Sequence, residues 1–163
     1  MEAQDYLKVR GIGLAKAAQI RAAFELTSRL EGYQDSGKRE TAKTPEDVVA
    51  LVRSRLKGKK KEYFLALLLD TRNRLIRVAE ISVGSLDSSI VHPREVFKEA
   101  VAASAASVIF AHNHPSGDPE ASEDDLNLTK RLAEAGEIMG IDVLDHVIIG
   151  EEKYLSLKRE GLF

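Results

Sequence analysis

Val108-Ile109-Phe110-Ala111-His112-Asn113-His114-Pro115-Ser116-Gly117-Asp118 is the stretch on which the reading of this chain turns. An apolar run ends in two histidines one residue apart, and Pro115 and Gly117 then break it. In a strand, side chains two residues apart share a face. Both imidazoles can therefore converge on one ion at the strand's end. Eleven residues beyond His114, Asp125 falls in the first turn of a helix expected to begin at Ser122. A strand end facing a helix start can bring that carboxylate to the same ion. Two imidazoles and one carboxylate leave the fourth tetrahedral position of a zinc ion for water, which is the catalytic pattern; structural sites are usually closed by four protein ligands. Blander explanations exist for each part. A histidine pair can close a turn through hydrogen bonds, and Ser122 and Asp125 can be an N-cap and an acidic first-turn residue. The joint spacing of His-x-His-Pro, six residues, Ser, two residues and Asp is harder to obtain from capping alone.

Outward from this stretch the chain alternates strands and helices. Upstream, Pro93 to Ala105 reads as a helix with proline near its start, and Ser107 to His112 as a strand. Downstream, residues 115–121 form a Pro/Gly loop, Ser122 to Met139 a helix closed by Gly140, Asp142 to Ile149 a strand and Tyr154 to Leu157 a short last one. Thr44-Pro45-Glu46-Asp47 is a helix start, with Thr as N-cap, proline at the first position and acids in the first turn. That helix should reach about Leu56. Glu62 to Leu69 is nearly continuously apolar, as in a strand buried on both faces. A turn over Asp70 to Arg74 leads to a second strand, Leu75 to Val83. Hairpins mixed with helical crossovers imply an α/β fold, a mixed β-sheet flanked by helices. Ahead of it, Leu14 to Leu30 is one helical run with an apolar stripe that includes Leu14, Ala17, Phe24 and Leu26, with Gly32 placed to end it. The expected organisation is a short helical region over 1–31, a polar linker over 32–43 and a main domain over 44–163.

The bulk properties narrow the chemistry. The 163 residues, 44% hydrophobic and 31% charged, suit one ordinary domain plus a small appendage. There is no cysteine, which excludes disulfides, thiolate metal sites and cysteine nucleophiles, so a metal site must use His, Asp or Glu. No apolar stretch is long enough to span a bilayer and the N-terminus does not read as a secretory signal, so a cytoplasmic protein without membrane contact is expected. The net charge of -2 supplies no global attraction for nucleic acid.

The string His112-Asn113-His114-Pro115-x6-Ser122-x2-Asp125 resembles the JAMM signature of JAB/MPN metalloproteases. Within that group, His-Asn-His-Pro-Ser-Gly-Asp-Pro at 112–119 is similar to the RadC family, and the similarity runs over roughly residues 44–163. It takes in Pro93-Arg94-Glu95-Val96, Leu144-Asp145-His146 and residues 156–162. Eukaryotic members usually carry Ser or Thr between the histidines; Asn113 points to the RadC branch and away from deubiquitinase activity. The resemblance implies a JAB/MPN, cytidine-deaminase-like sheet. It also implies a Zn2+ ion on His112, His114 and Asp125 that activates water for hydrolysis of a peptide or isopeptide bond in a peptide or protein substrate. It implies a glutamate base at the start of an upstream strand. Glu62 matches that position although both glycines of the family's strand pattern are replaced here, and Glu80 is the alternative. Ser122 would donate its hydroxyl to the developing oxyanion. His146 is expected in the core or beside the ligands, His92 at a helix start, and Ser116 and Asp118 on the rim. The cluster Asp118, Glu120, Glu123 and Asp124 could attract a basic substrate segment, or be an acidic helix start.

A second class of function competes. Leu7-Lys8-Val9-Arg10-Gly11-Ile12-Gly13-x2-Lys16-Ala17 resembles the second half of a helix-hairpin-helix motif, whose Gly11-Gly13 hairpin would meet a DNA phosphate at a helix N-terminus. Too few residues precede it for a complete first helix, so a shortened remnant is expected. Residues 1–31 hold five cations against four acids, a weak footprint for phosphate. Arg53, Arg55, Lys57, Lys59, Lys60 and Lys61 form a basic run at a helix end, explicable as a solvated face or as a second DNA contact. On this reading the chain is a DNA-repair-associated accessory protein with a non-catalytic metal site.

Overall fold

Two strands with no polar face need cover on both sides, and the architecture follows from that. The computed structural model describes residues 12–34, 40–84 and 91–163. The chain divides into two compact units, Met1–Arg39 and Glu40–Phe163.

Helix α1 (Leu14–Gln34) belongs to the smaller unit, and the larger unit begins with α2 (Pro45–Leu56). Then follow β1 (Glu62–Leu69), β2 (Leu75–Gly84), α3 (Pro93–Ala102), β3 (Ser107–Asn113), α4 (Glu123–Met139), β4 (Asp142–Ile149) and β5 (Tyr154–Ser156). The sheet order is β2-β1-β3-β4-β5. All pairings are antiparallel except β3 with β4, which α4 connects as a parallel crossover. The sheet is therefore mixed and helix-flanked, as the alternation of elements predicts.

Alternate side chains of the central strands feed two separate cores. On one face, Phe64, Ala66, Phe110 and Val108 pack under Val96 and Phe97 of α3 and Leu128 and Leu132 of α4. On the other, Leu65, Leu67, Ile109 and Ala111 pack under Val48, Val49 and Val52 of α2. Full burial of each such side chain contributes about 1.5–3 kcal/mol, so β1 and β3 are held firmly in register. Gly140 ends α4 in the left-handed region (φ 65°), which only glycine adopts without strain.

Several boundaries differ from the sequence expectation. Helix α3 stops at Ala102, because Ser104 turns into the left-handed region (φ 52°) to enter β3. Part of the expected linker belongs to the fold: Ala42 is buried, its N–H donates to Asn73, and Thr41 bridges to Arg74. In the smaller unit, α1 (Leu14–Gln34) runs through Gly32 rather than ending there. A glycine inside a helix costs only about 1 kcal/mol, which is not enough by itself to stop one. The apolar stripe of α1 is largely open, with Leu14, Phe24 and Leu26 at 77%, 64% and 60% exposure. Gly11 and the residues before it, on which the hairpin resemblance depends, lie outside the described residues. Among the described residues no helix is long and apolar enough to cross a membrane.

Candidate metal centre

The site sits where β3 ends. The register pairs Phe64 with His112 and His112 with Ile148, so His112 lies in the middle of the sheet, fully buried. Its ring stacks on Phe64 with centroids 6.2 Å apart, on the face covered by α3 and α4. His114 lies just past the strand, and its N–H continues the pairing by donating to Ile149 at 3.0 Å. A turn then closes from the Gly117 N–H to the His114 carbonyl, and the Gly117 carbonyl accepts from Glu151. The rim loop is so tightly seated on the β4–β5 turn that a side chain at Gly150 would collide with the Gly117 carbonyl.

Asp125 arrives from the other side, in the first turn of α4. Ser122 caps that helix: its Oγ accepts from the Asp125 N–H at 3.2 Å, and the Ser122 N–H donates to Asp125 Oδ2 at 2.8 Å. The capping explanation of this pair is therefore correct, and it coexists with the ligand geometry. The cap swings the carboxylate inward. Asp125 Oδ1 lies 3.2 Å from His112 Nε2, and Oδ2 lies 3.5 Å from His114 Nε2. The two Nε2 atoms are 3.0 Å apart.

These distances fit a single small cation. A tetrahedral zinc ion with bonds of 2.0–2.2 Å separates its ligand atoms by about 3.3 Å. His114 is pinned by its Nδ1–H, which donates to the Asp118 carbonyl at 2.8 Å and leaves Nε2 for the centre. Two imidazole lone pairs 3.0 Å apart repel unless a proton or a metal ion lies between them. Among the described residues, His112, His114 and Asp125 form the one group of three or more His, Cys, Asp or Glu side chains whose donor atoms meet this closely. The set could hold a metal ion.

The electrostatics agree. Burial works to raise the Asp125 pKa, yet hydrogen bonds with His112, His114 and Ser122 overcome it and hold the carboxyl far below its usual range. Burial lowers the His112 pKa, whereas the Asp125 carboxylate raises that of His114. The exposed side of the centre is at His114, whose side chain keeps 15% exposure against 2% for Asp125. His114 forms one wall of a cleft of about 610 Å³ that runs to the end of α2 and the β4–β5 turn.

The other residues singled out by sequence separate clearly. Glu62 is two residues before Phe64, on the sheet face that carries His112, and its charge favours the protonated form of both His112 and His114. Glu80 pairs with Leu65, on the opposite face, and is exposed. The register irregularity between Phe64 and Leu65 fixes that choice. Ser116 accepts from the Asp118 N–H, and Asp118 serves the site through its backbone carbonyl rather than its carboxylate. His92 is the N-cap position of α3 and makes no side-chain cap bond. In the basic run, Arg53 donates to the carbonyls of Glu151 and Glu152, and the Lys59 ammonium lies over the Tyr63 ring.

Three residues gain roles that sequence reading did not give them. Buried Asn113 latches β3 to the start of β1, donating to the Lys61 carbonyl and accepting from the Tyr63 N–H. Thr129, one turn after Asp125 on the inner face of α4, bonds to the Asp125 carbonyl and to His146. A hydroxyl beside Leu128 and Leu132 on the buried face of α4 was the available signal. Asp145 organises the C-terminal turn, accepting from the His146 N–H, the Ser156 hydroxyl and the Lys158 N–H.

Comparison with known proteins gives a consistent result. The family model described as RadC-like JAB domain matches residues 42–162. The UPF0758 protein of Methanosarcina barkeri is 53% identical over 155 residues, which cover 95% of this chain and 67% of that protein. The UPF0758 protein of Methanococcoides burtonii is 54% identical over 154 residues, 94% of this chain and 67% of that one. The UPF0758 protein of Caldanaerobacter subterraneus is 50% identical over 155 residues, 95% of this chain and 66% of that one.

Proposed function

The chain belongs to the RadC-like JAB domain family, and from that premise we propose that it is a zinc-dependent hydrolase of peptide or isopeptide bonds. The observation that carries the reading is the convergence of His112, His114 and Asp125 on one point, at which the His114 side chain keeps some exposure. Two imidazole nitrogens and a carboxylate oxygen, with no sulfur, suit zinc and match the donor sets of metallopeptidases. When bound, the ion supplies Lewis acidity, which polarises a carbonyl and makes water acidic enough to attack near neutral pH.

The chain's own residues do the rest. Glu62, on the face of His112 at the start of β1, takes the proton from the attacking water and hands it to the leaving amine. Ser122 now gives its hydroxyl hydrogen to Asp125 Oδ2 at 2.6 Å. Rotating it toward the substrate supplies a donor to the oxyanion while the backbone N–H of Ser122 continues to hold the carboxylate. The Phe64 and Phe110 rings wall the inner side and keep bulk water from the ligands.

The test combines elemental analysis with a peptide and isopeptide cleavage screen. About one zinc per chain is expected in protein prepared without chelators. Glu62→Gln should keep that zinc and lose about 10²–10⁴-fold in rate. Protein free of divalent metal, or a Glu62→Gln variant as active as the native chain, would sink the reading. For the nucleic-acid alternative, Arg53 of the basic run is committed to backbone carbonyls, and Gly11 of the hairpin lies outside the described residues.

A further inference from the structure

We propose that Thr129 and His146 are positioning residues that hold the His112 imidazole in one tautomer, with its hydrogen on Nδ1 and the Nε2 lone pair facing His114 and Asp125. The proposal rests on the metal centre described above and adds how the buried ligand is prepared for it.

His146 lies on β4, fully buried, with the edges of the Phe64 and Phe110 rings around it at centroid distances of 5.3 and 6.0 Å. Each of its ring nitrogens has one partner. Nε2 is 2.8 Å from His112 Nδ1, and Nδ1 is 2.6 Å from Thr129 Oγ1. The Thr129 hydroxyl is also 2.6 Å from the Asp125 backbone carbonyl.

Hydrogen counting gives the chain a direction. A carbonyl only accepts, and a hydroxyl has one hydrogen to give. Two oxygens 2.6 Å apart without a hydrogen between them repel, so the Thr129 hydrogen goes to the Asp125 carbonyl. Thr129 Oγ1 must then accept from His146, which places the His146 hydrogen on Nδ1. A neutral imidazole has one N–H, so His146 Nε2 is an acceptor and His112 Nδ1 must donate to it. The Nε2 of His112 is left bare, as metal ligation requires.

His114 reaches the same state more directly, because its Nδ1–H meets the Asp118 carbonyl. His112 is enclosed by the sheet and has a histidine, not a carbonyl, at its Nδ1. Thr129 and His146 carry the instruction to it from the backbone of Asp125, itself a ligand. Such outer hydrogen bonds fix ligand orientation and tautomer, and losing them typically costs about 10–100-fold in metal affinity.

The chain has four histidines, so ¹⁵N-labelled imidazoles are readily resolved by NMR. In metal-free native protein, His112 and His146 should both carry hydrogen on Nδ1 alone, so that any proton between the two Nε2 atoms sits on His114. Thr129→Val should weaken zinc by about 10–100-fold in a chelator competition, and Thr129→Ser should restore it. A hydrogen on His112 Nε2 in the metal-free native chain would overturn the proposal. So would native zinc affinity in Thr129→Val, whatever its thermal stability. If the valine variant does not fold, the tautomers of the native chain decide. A native chain that binds no zinc would remove the proposed function instead, while the tautomer measurement would still judge the Thr129–His146 arrangement.

Discussion

Asp125 carries two tasks on one carboxylate. Oδ2 accepts from the Ser122 N–H and hydroxyl, and Oδ1 faces His112 Nε2. The helix cap orients the ligand, so the geometry of the centre is tied to the start of α4. Asn at this position can still accept from the Ser122 N–H but brings no negative charge to the ion. Asp125→Asn should therefore fold and bind less than one tenth of the native zinc at equal free metal, as read by elemental analysis after dialysis; such a loss is of the order of 1.4 kcal/mol or more. Native zinc content in this variant would remove Asp125 from the ligand set. Spacing alone singled out this residue, because strand period and helix start are local properties. Thr129 escaped that reading because its partner His146 is seventeen residues away on another element.

At the scale of elements, the capping boxes of α2 and α4 place acids at first turns for different ends. Asp47 closes the box with Thr44 and also accepts from the Lys43 N–H, whereas Asp125 closes the box with Ser122 and also faces the centre. Ser122→Ala should lower stability by about 1 kcal/mol through the lost cap. It should also slow hydrolysis by about 10²–10³-fold if the hydroxyl serves the oxyanion. Thermal denaturation and turnover measured on the same preparation separate the two, and unchanged turnover would reduce Ser122 to a cap. The β1–β2 turn offers a pH test. Asp70 accepts from the Arg74 guanidinium and from the Arg72 and Arg74 N–H groups. The Arg74 bond in particular brings its pKa down to about 2, against an unfolded value of about 3.9. A depressed folded pKa means that the stabilisation is complete above the unfolded value and is lost as pH falls toward the folded one. Asp70→Asn should therefore lose less stability than the native chain between about pH 4 and about pH 2, in denaturant melts at each pH. An equally steep loss in the variant would show that this turn does not contribute to acid sensitivity.

For the whole molecule, a ligand that binds only the folded state stabilises it by mass action. Zinc at about a hundred times its Kd should add about 2.7 kcal/mol. For a chain of this size that raises Tm by roughly 5–10 °C, and chelation should reverse it. A Tm indifferent to both zinc and chelator would mean that the ligands do not meet around an ion in solution. The midpoint belongs to Glu40–Phe163, the unit that contains all three ligands.

The amino-acid order by itself determined the alternation of strands and helices, the burial of Glu62–Leu69 on both faces, the stop at Gly140 and the candidate ligand triad. All of these follow from periods, caps and spacings that span a few residues. Only the tertiary structure decided that Glu62 rather than Glu80 shares the face of His112, because a register irregularity in a strand pair sets it. It also drew Ala42 into the core and seated His146 between His112 and Thr129. Those outcomes depend on which distant side chains share one enclosed space, and packing around a common core, not local propensity, determines that.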